Sequence, residues 1–126
     1  MKKWLPWVPV ALMCGVIFWF SAQSAPPDLG PKFPFKRKYE HMAGYAMLGL
    51  LIMRALRKGH GLPPAKAAVL AVLLAAAYAA SDEWHQSFVP HRDPEVTDVM
   101  IDTLGAGIAV ACNFGYESRR SPKANR

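Results

Sequence analysis

The apolar residues of this chain fall into four blocks separated by short polar or proline-containing segments. The first, Trp4 to Ala22 (WLPWVPVALMCGVIFWFSA), has no charge and the length a helix needs to cross a hydrocarbon core of ~30 Å. The others run over residues 41–56, 65–88 and 96–116, each with polar residues toward its ends. Runs of this length predict helices, and four of them predict an all-α protein, a four-helix transmembrane bundle. Residues 1–116 would form the bundle, and 117–126 a basic, disordered cytoplasmic tail. A small soluble bundle is the alternative. Trp4, Trp7, Trp19 and Phe20 lie near both ends of the first block, where amphipathic rings favour a lipid interface, and this favours spans. Met1-Lys2-Lys3, the apolar run and Ser21-Ala22-Gln23-Ser24-Ala25 also have the layout of a secretory signal. The run is long and aromatic for that role, with two prolines near its start, so a retained span is expected.

Charge orients the prediction. Four spans return both termini to one side, and that side would carry Lys2, Lys3, Arg54, Arg57, Lys58, Lys66, Arg119, Arg120, Lys123 and Arg126, ten of the 15 Lys and Arg residues. The bias toward basic cytoplasmic loops then makes both termini cytoplasmic. Eight of the nine acids, Asp28, Glu40, Asp82, Glu83, Asp93, Glu95, Asp98 and Asp102, fall toward the other side with His41, His85 and His91. Any chemistry is therefore expected on the extracytoplasmic face. Cys14 and Cys112 lie within apolar runs without metal-ligand spacing and read as small hydrophobes.

The ionisable residues are not scattered. Lys38, His41 and Tyr45 follow helical spacing at the outer end of the second helix. Asp82, His85 and Gln86 share a face at the end of the third, with Glu83 on its flank and Tyr78 one turn below, before Pro90 stops the helix. Asp93, Pro94 and Glu95 suit the cap and first turn of the fourth helix. Asp98 and Asp102 then form a stripe that continues in Gly105 and Ala109, where small side chains admit a neighbouring helix. A carboxylate as deep as Asp102 costs several kilocalories unless it is protonated, paired or wetted. The predicted arrangement is a polar cup open to the outer leaflet, formed by Lys38, His41, Tyr45, Asp82, Glu83, Gln86, Arg92, Asp98 and Asp102. His91, Asp93 and Glu95 read as surface and cap.

These residues resemble the VanZ-like family of small membrane proteins. The resemblance rests on Lys38-x-x-His41-x-x-x-Tyr45, on Tyr78-x-x-Ser81-Asp82-Glu83-x-His85-Gln86-x-Phe88-Val89-Pro90-x-Arg92, and on Asp98-x-x-x-Asp102-x-x-Gly105. A first span ending in Phe20-Ser21 before a proline-rich loop also fits. His91 stands where the family commonly has glycine, and Asp102 where many members have asparagine. The resemblance implies a four-span protein of the bacterial cytoplasmic membrane. It also implies a relation to resistance against the glycopeptide teicoplanin by a route other than remodelling the peptidoglycan precursor terminus, and no established reaction.

Two functions compete at the level of sequence. In the leading one, the cup binds the headgroup of a membrane lipid or lipid-linked envelope intermediate, aided by the basic and aromatic loop Lys32-Phe33-Pro34-Phe35-Lys36-Arg37-Lys38. In the other, the chain is an outer-leaflet hydrolase or transferase. His41 or His85 would be its base, Asp82 or Glu83 the orienting acid or a metal ligand, and Arg92 with Lys38 a phosphoryl clamp. No cofactor is required, although Glu83, His41, Asp98 and Asp102 are donors that suit a divalent metal. No nucleic-acid partner is expected. A transporter is disfavoured because stretches such as Val69 to Ala77 offer no polar path. Gly44, Gly49, Gly105 and Gly107 could serve contacts within or between chains, so oligomeric state is open.

Overall fold

A computed structural model describes residues 2–22, 36–90 and 96–120. Its side chains are described from Tyr39 onward in the second helix. The described residues form four α-helices: α1 (Trp7–Ser21), α2 (Lys36–His60), α3 (Pro64–Gln86) and α4 (Val96–Arg120). The all-α prediction is met. Helices α3 and α4 are each long and apolar enough to cross a membrane, whereas α1 is apolar but shorter.

Helix ends depart from the hydrophobic blocks for identifiable reasons. Trp4 and Leu5 belong to a succession of turns rather than to α1, and Pro6 occupies its N-cap. The helix proper has 15 residues, about 22 Å at 1.5 Å per residue. In contrast, α2 extends beyond the expected 41–56 at both ends, starting at Lys36 and reaching His60. Gly61, at φ 64°, provides the left-handed residue that ends it, and its N–H donates to Arg57 O at 3.1 Å. Pro63 and Pro64 then start α3, Pro64 standing at the first helical position, where a missing N–H is harmless. Helix α3 stops at Gln86, two residues earlier than its hydrophobic block, and the chain continues in turns to Pro90. Helix α4 reaches Arg120, so residues 117–120 of the expected disordered tail are helical. Arg119 and Arg120 suit the negative end of its dipole. The cap expected from Asp93, Pro94 and Glu95 lies outside the described residues.

Packing is built on small residues. The buried face of α3 contains Ala67, Ala71, Ala75 and Ala79 and continues into Asp82, Glu83 and Gln86. The buried face of α4 contains Asp102, Gly105, Ala106 and Val110. Helix α2 touches each of the other three and supplies the larger core groups Tyr45, Leu48, Ile52 and Met53, whereas α1 packs on α2 and α3 only. Large apolar side chains turn outward: Leu12 is 67% exposed, Leu73 59% and Ile108 54%. Carboxylates inside and leucines outside reverse the arrangement of a water-soluble bundle.

Among the described residues, hydrogen bonds fasten α1 to the others along its length. Trp7 Nε1 donates to His60 Nε2 at 3.0 Å at one end, Tyr78 OH donates to Cys14 O at 2.7 Å in the middle, and Ser21 reaches α3 at the other end. Helices α2 and α4 approach closely at Gly105. A Cβ on Gly105 would lie 2.5 Å from Met42 Cγ and 2.6 Å from Met42 O, while one on Gly107 would meet nothing within 4 Å. Gly105→Ala should therefore lower stability in mild detergent by about 1–3 kcal/mol through overpacking. Gly107→Ala should leave stability unchanged or raise it through helix propensity. Equal effects in denaturant titrations of the two variants would show that this approach does not constrain the bundle.

Candidate functional site

The C-terminal ends of α1 and α3 meet the N-terminal parts of α2 and α4, and the buried polar side chains gather there. At their centre is Asp82, 4% exposed. Its Oδ2 accepts from Ser21 Oγ at 2.9 Å, Tyr45 OH at 3.2 Å and Gln86 Nε2 at 3.3 Å. Thus α1, α2 and α3 are joined through one oxygen by charge-assisted hydrogen bonds. Its second oxygen, Oδ1, is buried without a hydrogen-bond partner among the described residues.

Two of the three donors arrive by a local rule. Gln86 lies one turn beyond Asp82, so the pair shares a face of α3. Tyr45 lies one turn beyond His41 on α2, and its ring bridges the cluster: the His41 and Tyr45 rings are stacked at 6.5 Å, and those of Tyr45 and Tyr78 are 6.2 Å apart. Tyr45 is completely buried, which makes a partner for its hydroxyl obligatory, and Asp82 supplies one.

Asp102, from α4, is the second carboxylate of the cluster and is 1% exposed. Its Oδ2 is 3.8 Å from His41 Nδ1, beyond a hydrogen bond but within ion-pair range of a protonated imidazole. Its Oδ1, too, lacks a hydrogen-bond partner among the described residues. The neighbouring Thr103 Oγ1 is in the same condition. Unsatisfied buried oxygens on two carboxylates are costly, since each forgoes the hydration it would have in water. Among the described residues, the cluster therefore has spare acceptor capacity.

The structure thus brings together Tyr45, Asp82 and Gln86 by hydrogen bonds, and His41 with Asp102 by proximity. Glu83 is buried on the same face of α3, and Asp98 is half-buried one turn before Asp102. The side chain of Lys38, and all of Arg92, lie outside the described residues, as do Asp28, His91, Asp93, Glu95 and the loop before Lys36. One expectation needs correcting. His85 does not share the central face with Asp82 and Gln86; Glu83 does. His85 instead sets its ring 4.6 Å from that of Phe18 on α1, with its Nδ1 buried and unpartnered among the described residues. Among the described residues, no three His, Cys, Asp or Glu side chains gather as a metal site.

Ser21 is the site residue that sequence reasoning missed. It is completely buried and makes the shortest of the three bonds to Asp82. The available signal was a serine closing an uncharged helix, followed by a polar, proline-rich segment.

Comparison with known proteins identifies one family. A family model described as VanZ/LLP1 matches residues 7–114, from the first residue of α1 almost to the end of α4. Neither a curated protein nor a solved structure matches the chain.

The Ser21 and Asp82 bond should be measurable as a coupling. A double-mutant cycle with Ser21→Ala and Asp82→Asn, followed by unfolding in mild detergent, should give an interaction of about 1–3 kcal/mol, as for a buried hydrogen bond to a charged acceptor. Additive effects would show that the serine does not support the carboxylate.

Proposed function

Because the chain belongs to the VanZ/LLP1 family, we propose that it is a multi-pass protein of the bacterial cytoplasmic membrane, with both termini cytoplasmic, whose outer polar cluster binds the headgroup of a lipid or lipid-linked envelope intermediate. The observation that carries this reading is the pair of unpartnered oxygens on Asp82 and Asp102, buried in a bundle whose outer surface is apolar. Ionisable groups held inside a membrane bundle are costly, and function is the ordinary reason for their presence. The cluster sits toward one end of the helices, the end that faces the outer leaflet in the orientation proposed. Hydroxyl, ammonium or amide groups of a ligand could satisfy the free carboxylate oxygens. Lys38 and Arg92 are, by residue type, suited to the phosphate that such ligands carry. Sequestering an envelope intermediate or a lipid-anchored glycopeptide would alter susceptibility to drugs of the teicoplanin type.

One observation favours a second reading, a lipid-headgroup hydrolase or transferase. His41 lies beside the buried carboxylate of Asp102, the relation by which an acid orients a general base. In that reading His41 would take the proton from the attacking group. Asp82 would stay a structural acceptor, since its bonded oxygen already serves three donors.

Orientation is tested by reporters fused after Arg126. A fluorescent protein that matures only in the cytoplasm should be bright, and a phosphatase active only outside should be silent; the opposite pattern overturns the topology. Ligand binding is tested by native mass spectrometry of the purified full chain. The wild type should retain a lipid or lipid-linked species, and Asp82→Asn should reduce its retention by about tenfold, ~1.4 kcal/mol, without loss of membrane insertion. Equal retention by both proteins sinks the binding reading. Turnover of a labelled lipid-linked precursor, assayed with and without added divalent metal and abolished by His41→Ala, would decide for the enzyme.

A further inference from the structure

A second feature lies at the other end of the bundle. Between the C-terminal halves of α2 and α4 is a groove of about 690 Å³, within the usual size of small-ligand sites. Along α2 its lining changes character within two turns, from Leu51 to Arg54, Arg57 and Lys58; on the α4 side it passes from Ala109 to Glu117. From Leu51 to Lys58 is seven residues, about 10 Å along the helix. The groove is therefore apolar toward the middle of the bundle and basic at its rim.

The charges of the rim are organised. Arg57 Nε lies 3.2 Å from Glu117 Oε2, and Arg57 Nη1 donates to Leu62 O at 3.1 Å. This holds the guanidinium between α4 and the α2–α3 corner and compensates Glu117. Three cations face one carboxylate in the lining, a surplus of two positive charges. Arg54 and Lys58 provide the surplus, and both are exposed and one turn apart on the same face. Two helix C-termini would by themselves repel an anion, and the surplus cations reverse that preference.

We infer that this groove seats an anionic phospholipid of the cytoplasmic leaflet, with its phosphate at Arg54 and Lys58 and its acyl chain along Leu51 and Ala109. A basic rim above an apolar wall has the polarity sequence of a phospholipid, and clustered basic side chains at the cytoplasmic ends of helices attract anionic lipid. A free anion would satisfy the rim but gain nothing from the wall. The site is separate from the Asp82 cluster: Tyr45 and Arg57 are twelve residues apart on α2, about 18 Å. It rests on the membrane orientation proposed above but not on the headgroup reading of the outer cluster.

The test uses the purified full chain in mild-detergent micelles carrying equal amounts of phosphatidylglycerol and phosphatidylcholine, with bound lipid counted by native mass spectrometry. The wild type should retain phosphatidylglycerol over phosphatidylcholine by about fivefold or more. Arg54→Gln combined with Lys58→Gln should bring that ratio close to one, whereas Arg54→Lys should preserve it. Because both substituted side chains are exposed, an unchanged circular dichroism spectrum is expected of the double variant. A wild-type ratio of one, or a preference that survives the double substitution, overturns the inference. Competition by millimolar inorganic phosphate also overturns it, by showing a phosphate site without a lipid. The reporter fusions separate the two readings: termini found outside, with the lipid preference intact, would move the groove to the wrong leaflet and refute the inference as stated.

Discussion

The bundle depends on one carboxylate being kept out of water. Asp82 lies on the inner face of α3, 4% exposed, and among the described residues its donors come from α1, α2 and α3 itself. Each donor is on a buried side chain, so removing the acceptor would strand Ser21 and Tyr45 as surely as removing a donor weakens the acceptor. The cluster is cooperative in that sense, and it makes the position of a short first helix a consequence of a residue more than sixty positions away.

The rest of the packing serves that arrangement. Alanines on α3 and the Gly105-Ala106 step on α4 let backbones approach, with α2 filling the space between by Tyr45, Leu48 and Met53. In a hydrocarbon solvent, outward leucines gain little by being buried, so close packing and internal hydrogen bonds carry the association of helices. Asp102 differs from Asp82 in this respect. Its nearest described partner, His41, stands 3.8 Å away, which leaves it less tightly tied and more available.

Much of this was legible in the chain itself. The helices follow from four apolar blocks, and the gathering of Tyr45, Asp82, Gln86 and Asp102 at one end follows from three- and four-residue spacings that give α2, α3 and α4 a polar stripe there. What escaped has physical reasons. Helical periodicity puts Asp82, Glu83, His85 and Gln86 within one arc, and it does not show that the His85 ring lies against Phe18 of a neighbouring helix. Ser21 carries no charge and no periodic signal, since its importance comes from a long-range contact. Hydropathy also mistook the ends of helices. It cannot see that turns precede Pro6, nor that α2 and α4 continue as helices through basic residues that read as loop or tail.

The alanine face of α3 has a consequence for register. Alanine has no rotamers to lose on burial, so this surface docks at little entropic cost. For the same reason Ala67, Ala71, Ala75 and Ala79 present nearly the same relief at every turn. A displacement along the helix axis by one repeat, about 6 Å, would exchange one methyl group for another and leave the ridge almost as well matched. Such a surface can hold a helix close without saying where along its length it should stop. That information must come from its ends: the proline corner at Pro63 and Pro64 limits travel in one direction, and the donors to Asp82 define the position at the other. The buried acid is then an index mark on a ruler whose divisions are otherwise alike.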